Sequence, residues 1–213
     1  GFPGVGTGAE KLAKRIEAFL RLNDDTFLDN RIPIYLGTTF EASLFGAETV
    51  YRPGSEPTLA PSPILTDVRG AEYLALPDFR TSGLMPLAHR FYETLNAMVG
   101  DRCFVQFPDW TRGPLGVALQ LRGFEGFLTD TKLRPQSAHS LMRFVSEARK
   151  HWYRERARYL GAPVGAGDLF DDEVDANVIS PAVYREFVLP HEQDLCAFHG
   201  TIAYWHSCGN IVP

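Results

Sequence analysis

No stretch of the sequence approaches the ~18 consecutive apolar residues that a membrane-spanning helix needs, so no segment is expected to cross a bilayer. The opening run, GFPGVGTGAEKLAKR, has no continuous apolar stretch and does not read as a secretory signal. Cysteine is scarce. Cys103, Cys196 and Cys208 form an odd set at uneven spacing, which makes no disulfide framework and fits a reducing cytoplasm. Positive charge is not in excess either: 26 acidic residues stand against 21 Lys and Arg, a formal net charge of −5. Nucleic acid, which calls for a basic patch, is therefore not an expected partner. The chain also lacks an initiator methionine and begins in a glycine-rich loop, as a piece of a longer protein would.

What is present is the composition of an ordinary globular protein, 45% hydrophobic over 213 residues and sufficient for one domain with a large core. Leu12, Ile16, Phe19 and Leu20 recur at helical spacing within residues 9–22. Residues 32–37 (IPIYLG) read as a short strand, and the Pro-, Gly- and Ser-rich segment 48–68 as a hairpin or irregular insertion. Helices are expected over 83–100, 113–128 and from Pro135 to about Leu160, with a strand at 103–109. Residues 167–173 (GDLFDDE) form a strand running into an acidic loop. Ser180-Pro181 then supplies a hydroxyl cap and a first-turn proline for a helix reaching about His199. The segment 201–207 (TIAYWHS) is the last strand. Strands alternating with helices argue for a parallel sheet with helical crossovers. Four such strands are half of a (β/α)8 TIM barrel, so the expectation for residues 1–213 is a single α/β domain, an incomplete segment of that barrel. An open doubly wound sheet is the alternative.

In parallel α/β folds the loops after the strands all open on one side, where sites collect. Three strand ends carry unusual residues: Asp109-Trp110-Thr111, the acidic run Asp171-Asp172-Glu173, and His206-Ser207-Cys208-Gly209-Asn210. Zinc accepts imidazole nitrogen and thiolate sulfur together, and a catalytic site keeps three protein ligands and an open position. His206 and Cys208, two apart, point to one side on a continuing strand, and Gly209 allows a sharp turn after them. The pair alone is equally a packed cysteine beside a hydrogen-bonded histidine. Cys103 opens its strand and belongs at the far end, and Cys196 lies in a helix as packing; Asp171, Asp172 or Glu173 is better placed to add an oxygen ligand. Two further features read as structural: Gly4–Ala9 fits G-x-G-x-x-A but follows no strand, and Arg149, Lys150, Arg154, Arg156 and Arg158, mixed with Glu147 and Glu155, read as a solvated helix face.

The stretch ISPAVYREFVLPHEQDL (179–195), followed by a strand and HSCGN (206–210), resembles the uroporphyrinogen decarboxylase (URO-D) superfamily, and within it the cobalamin-dependent methyltransferase branch. LFGAE (44–48), LPDF (76–79) and GPLGVALQLRG (113–123) stand in the order that family places them. The resemblance implies a complete (β/α)8 barrel and an enzyme in which His206 and Cys208 bind Zn2+ with a further cysteine downstream, here after Pro213. It implies a small-molecule thiol activated by the zinc, and a corrinoid methyl donor, free cobalamin or one carried by a partner protein. Acidic residues Asp171, Asp172 and Glu173 are then expected as catalytic groups at the mouth, and Asp109, Trp110 and Asn210 as substrate contacts. The decarboxylase branch acts on tetrapyrrole acetate groups without a metal; its arginine-rich N-terminal motif and its aromatic-Thr motif are not matched, the chain having FPDWTRGP instead. A non-catalytic corrinoid- or tetrapyrrole-binding protein is the third reading. The oligomeric state is not set by the sequence.

Overall fold

The computed structural model describes residues 31–211 apart from Val68, together with Lys14 and Glu17. The helix expected over 9–22 lies outside them save for Lys14 and Glu17, both helical, and the Gly4–Ala9 loop lies outside them entirely.

All four expected barrel strands form. Strand β1 (Arg31–Pro33) leads through the short helix α1 (Phe40–Ser43) to an antiparallel hairpin, β2 (Thr49–Val50) with β3 (Thr58–Leu59). Helix α2 (Met85–Val99) precedes β4 (Phe104–Gln106), which pairs in parallel with β1. Next come α3 (Pro114–Arg122), α4 (Phe124–Leu133) and α5 (Pro135–Leu160). Strand β5 (Gly167–Phe170) and β6 (Ile202–His206) are again parallel, and between them run α6 (Pro181–Val183), a π-helical turn (Tyr184–Val188) and α7 (Leu189–His199). The segment after β4 joins the two pairs: Phe170 N donates to Thr111 O and Gly113 N to Phe170 O, each at 2.9 Å. The spatial order is thus β1, β4, β5, β6, an arc of parallel strands that does not close among the described residues.

Two elements differ from expectation for identifiable reasons. The single helix expected over 113–128 is two, because Gly123 sits at φ 79°, ending α3 and starting α4 at a backbone angle that a side chain disfavours. The helix after Ser180 begins as expected, with Ser180 Oγ accepting from Val183 N at 3.3 Å, but then widens into the π turn. Pro190 lacks the N–H that an α-helix would direct at the Glu186 carbonyl, and its ring crowds that turn.

The main core lies between the arc and its helices, around Phe40, Met85, Trp110, Leu121, Phe127 and Trp152. A smaller cluster of Ile32, Leu95, Val99, Cys103 and Val105 sits under β1 and β4, which places Cys103 in packing. The reading of Arg149–Arg158 as a solvated face holds only for part of it. Arg149 is 1% exposed and Lys150 is buried between Glu147 and Asp194. From α5, Arg149 Nη2 donates to Asp168 O on β5 at 2.7 Å and Nη1 to Arg112 O after β4 at 3.2 Å, with its guanidinium over the Tyr153 ring. Arg154 and Arg158 do remain at the surface, the latter paired with Glu155. No helix among the described residues is long and apolar enough to cross a membrane.

Replacing Arg149 with Met keeps most of the aliphatic volume but leaves two buried carbonyls without donors. The expected loss of stability is on the order of 3 kcal/mol, read as a lower urea midpoint at unchanged slope. An unshifted midpoint would remove this residue from its bridging role.

Candidate metal and substrate site

The last residues of β5 and β6 form the centre of the site. Pairing continues past β5, with Asp171 N donating to His206 O at 2.9 Å, so the strand alternation of side chains persists to the acidic run. Leu169 is fully buried under the helices, whereas Phe170 faces the other way, against the rings of Tyr204 and His206 at 5.5 Å each. Asp171 follows Leu169 inward, and Asp172 follows Phe170 outward.

On the outward side, His206, Cys208 and Asp172 bring one ligand atom each to within 4.8 Å of one another. His206 Nε2 lies 3.1 Å from Cys208 Sγ and 3.6 Å from Asp172 Oδ1. The imidazole stacks on Tyr204, whose hydroxyl is 3.3 Å from Nδ1, and this leaves Nε2 for the cluster. Two loops are clamped together here. Ser207 Oγ donates to Val174 O at 2.9 Å, Ala176 N to Asn210 O at 2.8 Å, and Cys208 N to Asp172 Oδ1 at 3.3 Å. Gly209 serves this clamp by a different means from the sharp turn expected of it. Its φ is not positive, but a Cβ there would overlap Asp175. Hydrogen bonding to Asp172 and its charge push the Cys208 thiol pKa up. A cation among the three donors would act in the opposite sense and favour the thiolate.

The donor chemistry fits zinc, which takes imidazole, thiolate and carboxylate. Zinc–ligand bonds of about 2.0–2.3 Å at tetrahedral angles place donors roughly 3.3–3.8 Å apart. The 3.1 and 3.6 Å separations therefore need only small adjustments.

On the inward side Asp171 is completely buried, with Oδ1 3.4 Å from Gly116 N in the first turn of α3. Burial, and then the nearby Glu192 and Glu173, hold its pKa well above the ordinary carboxylate value. Glu192, on α7, accepts from Tyr184 OH at 2.6 Å and from Trp205 Nε1 at 2.9 Å. Glu173 is paired with Arg112. Of the three acids read as catalytic, Asp172 alone reaches the His/Cys cluster.

A cavity of about 310 Å3 opens beside the cluster, lined by Tyr35, Glu41, Asp109, Arg112, Phe170 and Asp172 among others. Asp109 lies at this mouth as expected, held by the Tyr153 hydroxyl and by Trp110 N at 3.0 Å. Trp110 does not: its side chain is 0% exposed in the core against Phe45 and Trp152, so its expected substrate contact is corrected to a packing role. Asn210 lines a separate, largely apolar cavity of about 340 Å3 with Tyr184 and Trp205. Glu41 escaped notice in the sequence, although a lone acid inside the apolar run Phe40–Phe45 was a usable sign. It is buried, and its Oε1 accepts from Thr111 N and Arg112 N at 3.0 Å each, fixing the loop that carries Arg112.

The family model described as uroporphyrinogen decarboxylase (URO-D) matches residues 15–213, and the chain belongs to that family. Among solved structures, a methyltransferase from Methanosarcina mazei superimposes with a TM-score of 0.72 at 20% identity, over 99% of this chain and 59% of that one. The likeness establishes a shared TIM-barrel-type fold, of which this chain spans 59% of the neighbour's length. No curated protein matches the sequence.

Burial raises the Glu41 pKa above its ordinary 4.5, outweighing the backbone donors that lower it. As pH climbs past 4.5 the unfolded chain ionises first, so folded stability falls until the folded carboxyl also ionises. Glu41→Gln, which retains the carbonyl acceptor for both N–H groups, is expected to flatten this decline and to be the more stable form at neutral pH. Urea midpoints taken across the acid-to-neutral range check it; identical pH profiles for the two proteins would refute it.

Proposed function

We propose that this chain carries the zinc half-site of a methyltransferase that moves a methyl group from a corrinoid to a thiol acceptor. The observation that carries the reading is the approach of His206 Nε2 to Cys208 Sγ, at 3.1 Å, at the strand ends of a URO-D-family fold. The methyltransferase from Methanosarcina mazei, with the same fold, supports the reaction class. When bound, zinc lowers the pKa of a thiol at its open position and presents it as thiolate.

A corrinoid donor would supply the methyl group, and the acceptor thiolate would take it to leave as a thioether. The chain's own residues prepare that event. His206 and Cys208 would hold the metal, and Tyr204 and Phe170 pack against the imidazole. Asp172, half exposed at the mouth, brings Oδ1 to 3.6 Å from His206 Nε2. Glu173 is paired with Arg112, and Asp171 is buried away from the mouth, so neither faces the acceptor. Asp109 and Arg112 line the space beside the cluster and orient the acceptor. The setting is cytoplasmic, where a free thiol substrate and a reduced Cys208 persist.

Decarboxylation of a tetrapyrrole is the second reading, favoured by the description of the matched family. It gives the paired histidine and cysteine no task.

Cys208→Ala and His206→Ala are each expected to reduce methylcobalamin demethylation by a thiol at least ~100-fold, followed by the absorbance change of the corrinoid. Undiminished methyl transfer in both variants, or metal-independent turnover of uroporphyrinogen by the wild type, would reverse the assignment.

A further inference from the structure

We infer that the seam between α5 and α7 is a pH-sensitive joint, in which His191 docks α7 against α5 in its neutral form and loosens it on taking up a proton. Both helices lie within residues 135–199, so every group the joint needs is in this chain. The inference is independent of the methyl-transfer reading.

The joint is built around a buried hydroxyl. Ser146, in the middle of α5, is 1% exposed and donates to Met142 O at 2.9 Å. Its only proton is then committed, and its oxygen, 3.1 Å from His191 Nδ1, is left to accept from the imidazole. Neutral His191 with its proton on Nδ1 satisfies that contact. A second proton adds a charge that the surroundings oppose. On α5, His139, Arg143 and Lys150 face the imidazole, and Glu147 is engaged by Lys150 at 2.9 Å. On the π turn, Glu186 lies beside His139 at 3.7 Å. On α7 itself Asp194 favours the charged form, but its carboxylate is also paired with Lys150. Burial dominates, and the His191 pKa lies below its ordinary 6.5. A detached α7 therefore takes the proton first as pH falls through 6.5, and docking weakens until the docked imidazole is protonated too.

Two features turn this cost into a local movement. The π turn at Tyr184–Val188 interrupts the regular ladder just before α7, which is where helices bend. Phe187, Val188 and Leu195 stay buried in the core, so they retain the helix while its polar edge loosens. The residue after His191 carries the effect onward. Glu192 accepts from Trp205 Nε1 on β6 at 2.9 Å and from Tyr184 OH at 2.6 Å. Two adjacent side chains thus grip α7 between α5 and β6, and a change at His191 reaches the end of β6.

The test is amide hydrogen exchange on the full-length protein at about pH 7.5 and about pH 5.5, corrected for the intrinsic chemical rate. Exchange across 189–199, relative to 114–122 in α3, is expected to rise about 5-fold at the lower pH, within the roughly tenfold that one group supplies one unit below its ordinary pKa. His191→Asn keeps an N–H for Ser146 but cannot take up a proton, and is expected to show no such rise. His139→Gln, the control, is expected to retain it. Titration of the His191 ring in the wild type, followed by NMR, is expected to give a midpoint below 6.5 and does not depend on any variant folding. A ring midpoint at or above 6.5, no rise in the wild type, or a rise of equal size in His191→Asn would each overturn the joint.

Discussion

The site hangs on one buried guanidinium. The chain after β4 leaves its strand at Gln106 and returns to pair with β5 only at Thr111–Gly113, so residues 107–110 intervene without regular ladder hydrogen bonds. Arg149, from α5, ties the returning segment to β5, donating to Arg112 O on one side of that junction and to Asp168 O on the other. A buried charge is strongly unfavourable unless its surroundings compensate. Here the compensation is two carbonyl oxygens, the face of Tyr153, and the nearby Asp109 and Asp168. That attraction also explains why Asp109 stays put at the mouth, pinned by a tyrosine whose own ionisation burial suppresses. Together with the backbone hydrogen bonds of Phe170 to Thr111 and Gly113, this bridge sets the spacing of Arg112 and Asp172 across the cavity.

Around this bridge, the burial of ionisable groups divides the strand-end acids by environment. Glu41 and Asp171 are enclosed and shifted upward; Asp172 stays half exposed with its carboxylate facing a histidine and a thiol. Two adjacent aspartates in one strand thus take opposite roles. One is a buried polar bolt between β5, α3 and α7, and the other a half-exposed carboxyl directed at the mouth. The general rule is that a carboxyl's role follows its solvation and partners, not its identity.

Much of the architecture was readable in the sequence because hydrophobic periodicity survives burial. The four strands, the long helix Pro135–Leu160 and the Ser180-Pro181 start all appear where pattern and capping chemistry placed them. What stayed hidden were features that depend on three-dimensional neighbours. Gly123 divides a helix because of a positive φ, which a glycine permits but does not announce. Trp110 and Asp109 are adjacent in sequence, yet one is core and the other mouth, since the irregular turn there breaks any simple alternation. Arg149 and Lys150 sit in a charged run that is indistinguishable, residue by residue, from a solvated face.

The His206–Cys208 pair was the most legible part of the site, because its spacing alone puts both side chains on one side of a strand end. Its meaning was not legible, since a lone H-x-C is as compatible with packing as with a metal. The structure changes the balance through what surrounds the pair. Tyr204 and Phe170 restrict the imidazole, Gly209 lets the loop lie against Asp175, and Asp172 comes to both donors from the neighbouring strand. Asp172 raises the Cys208 thiol pKa by hydrogen bonding and by its charge, and a cation among the three donors would act in the opposite sense.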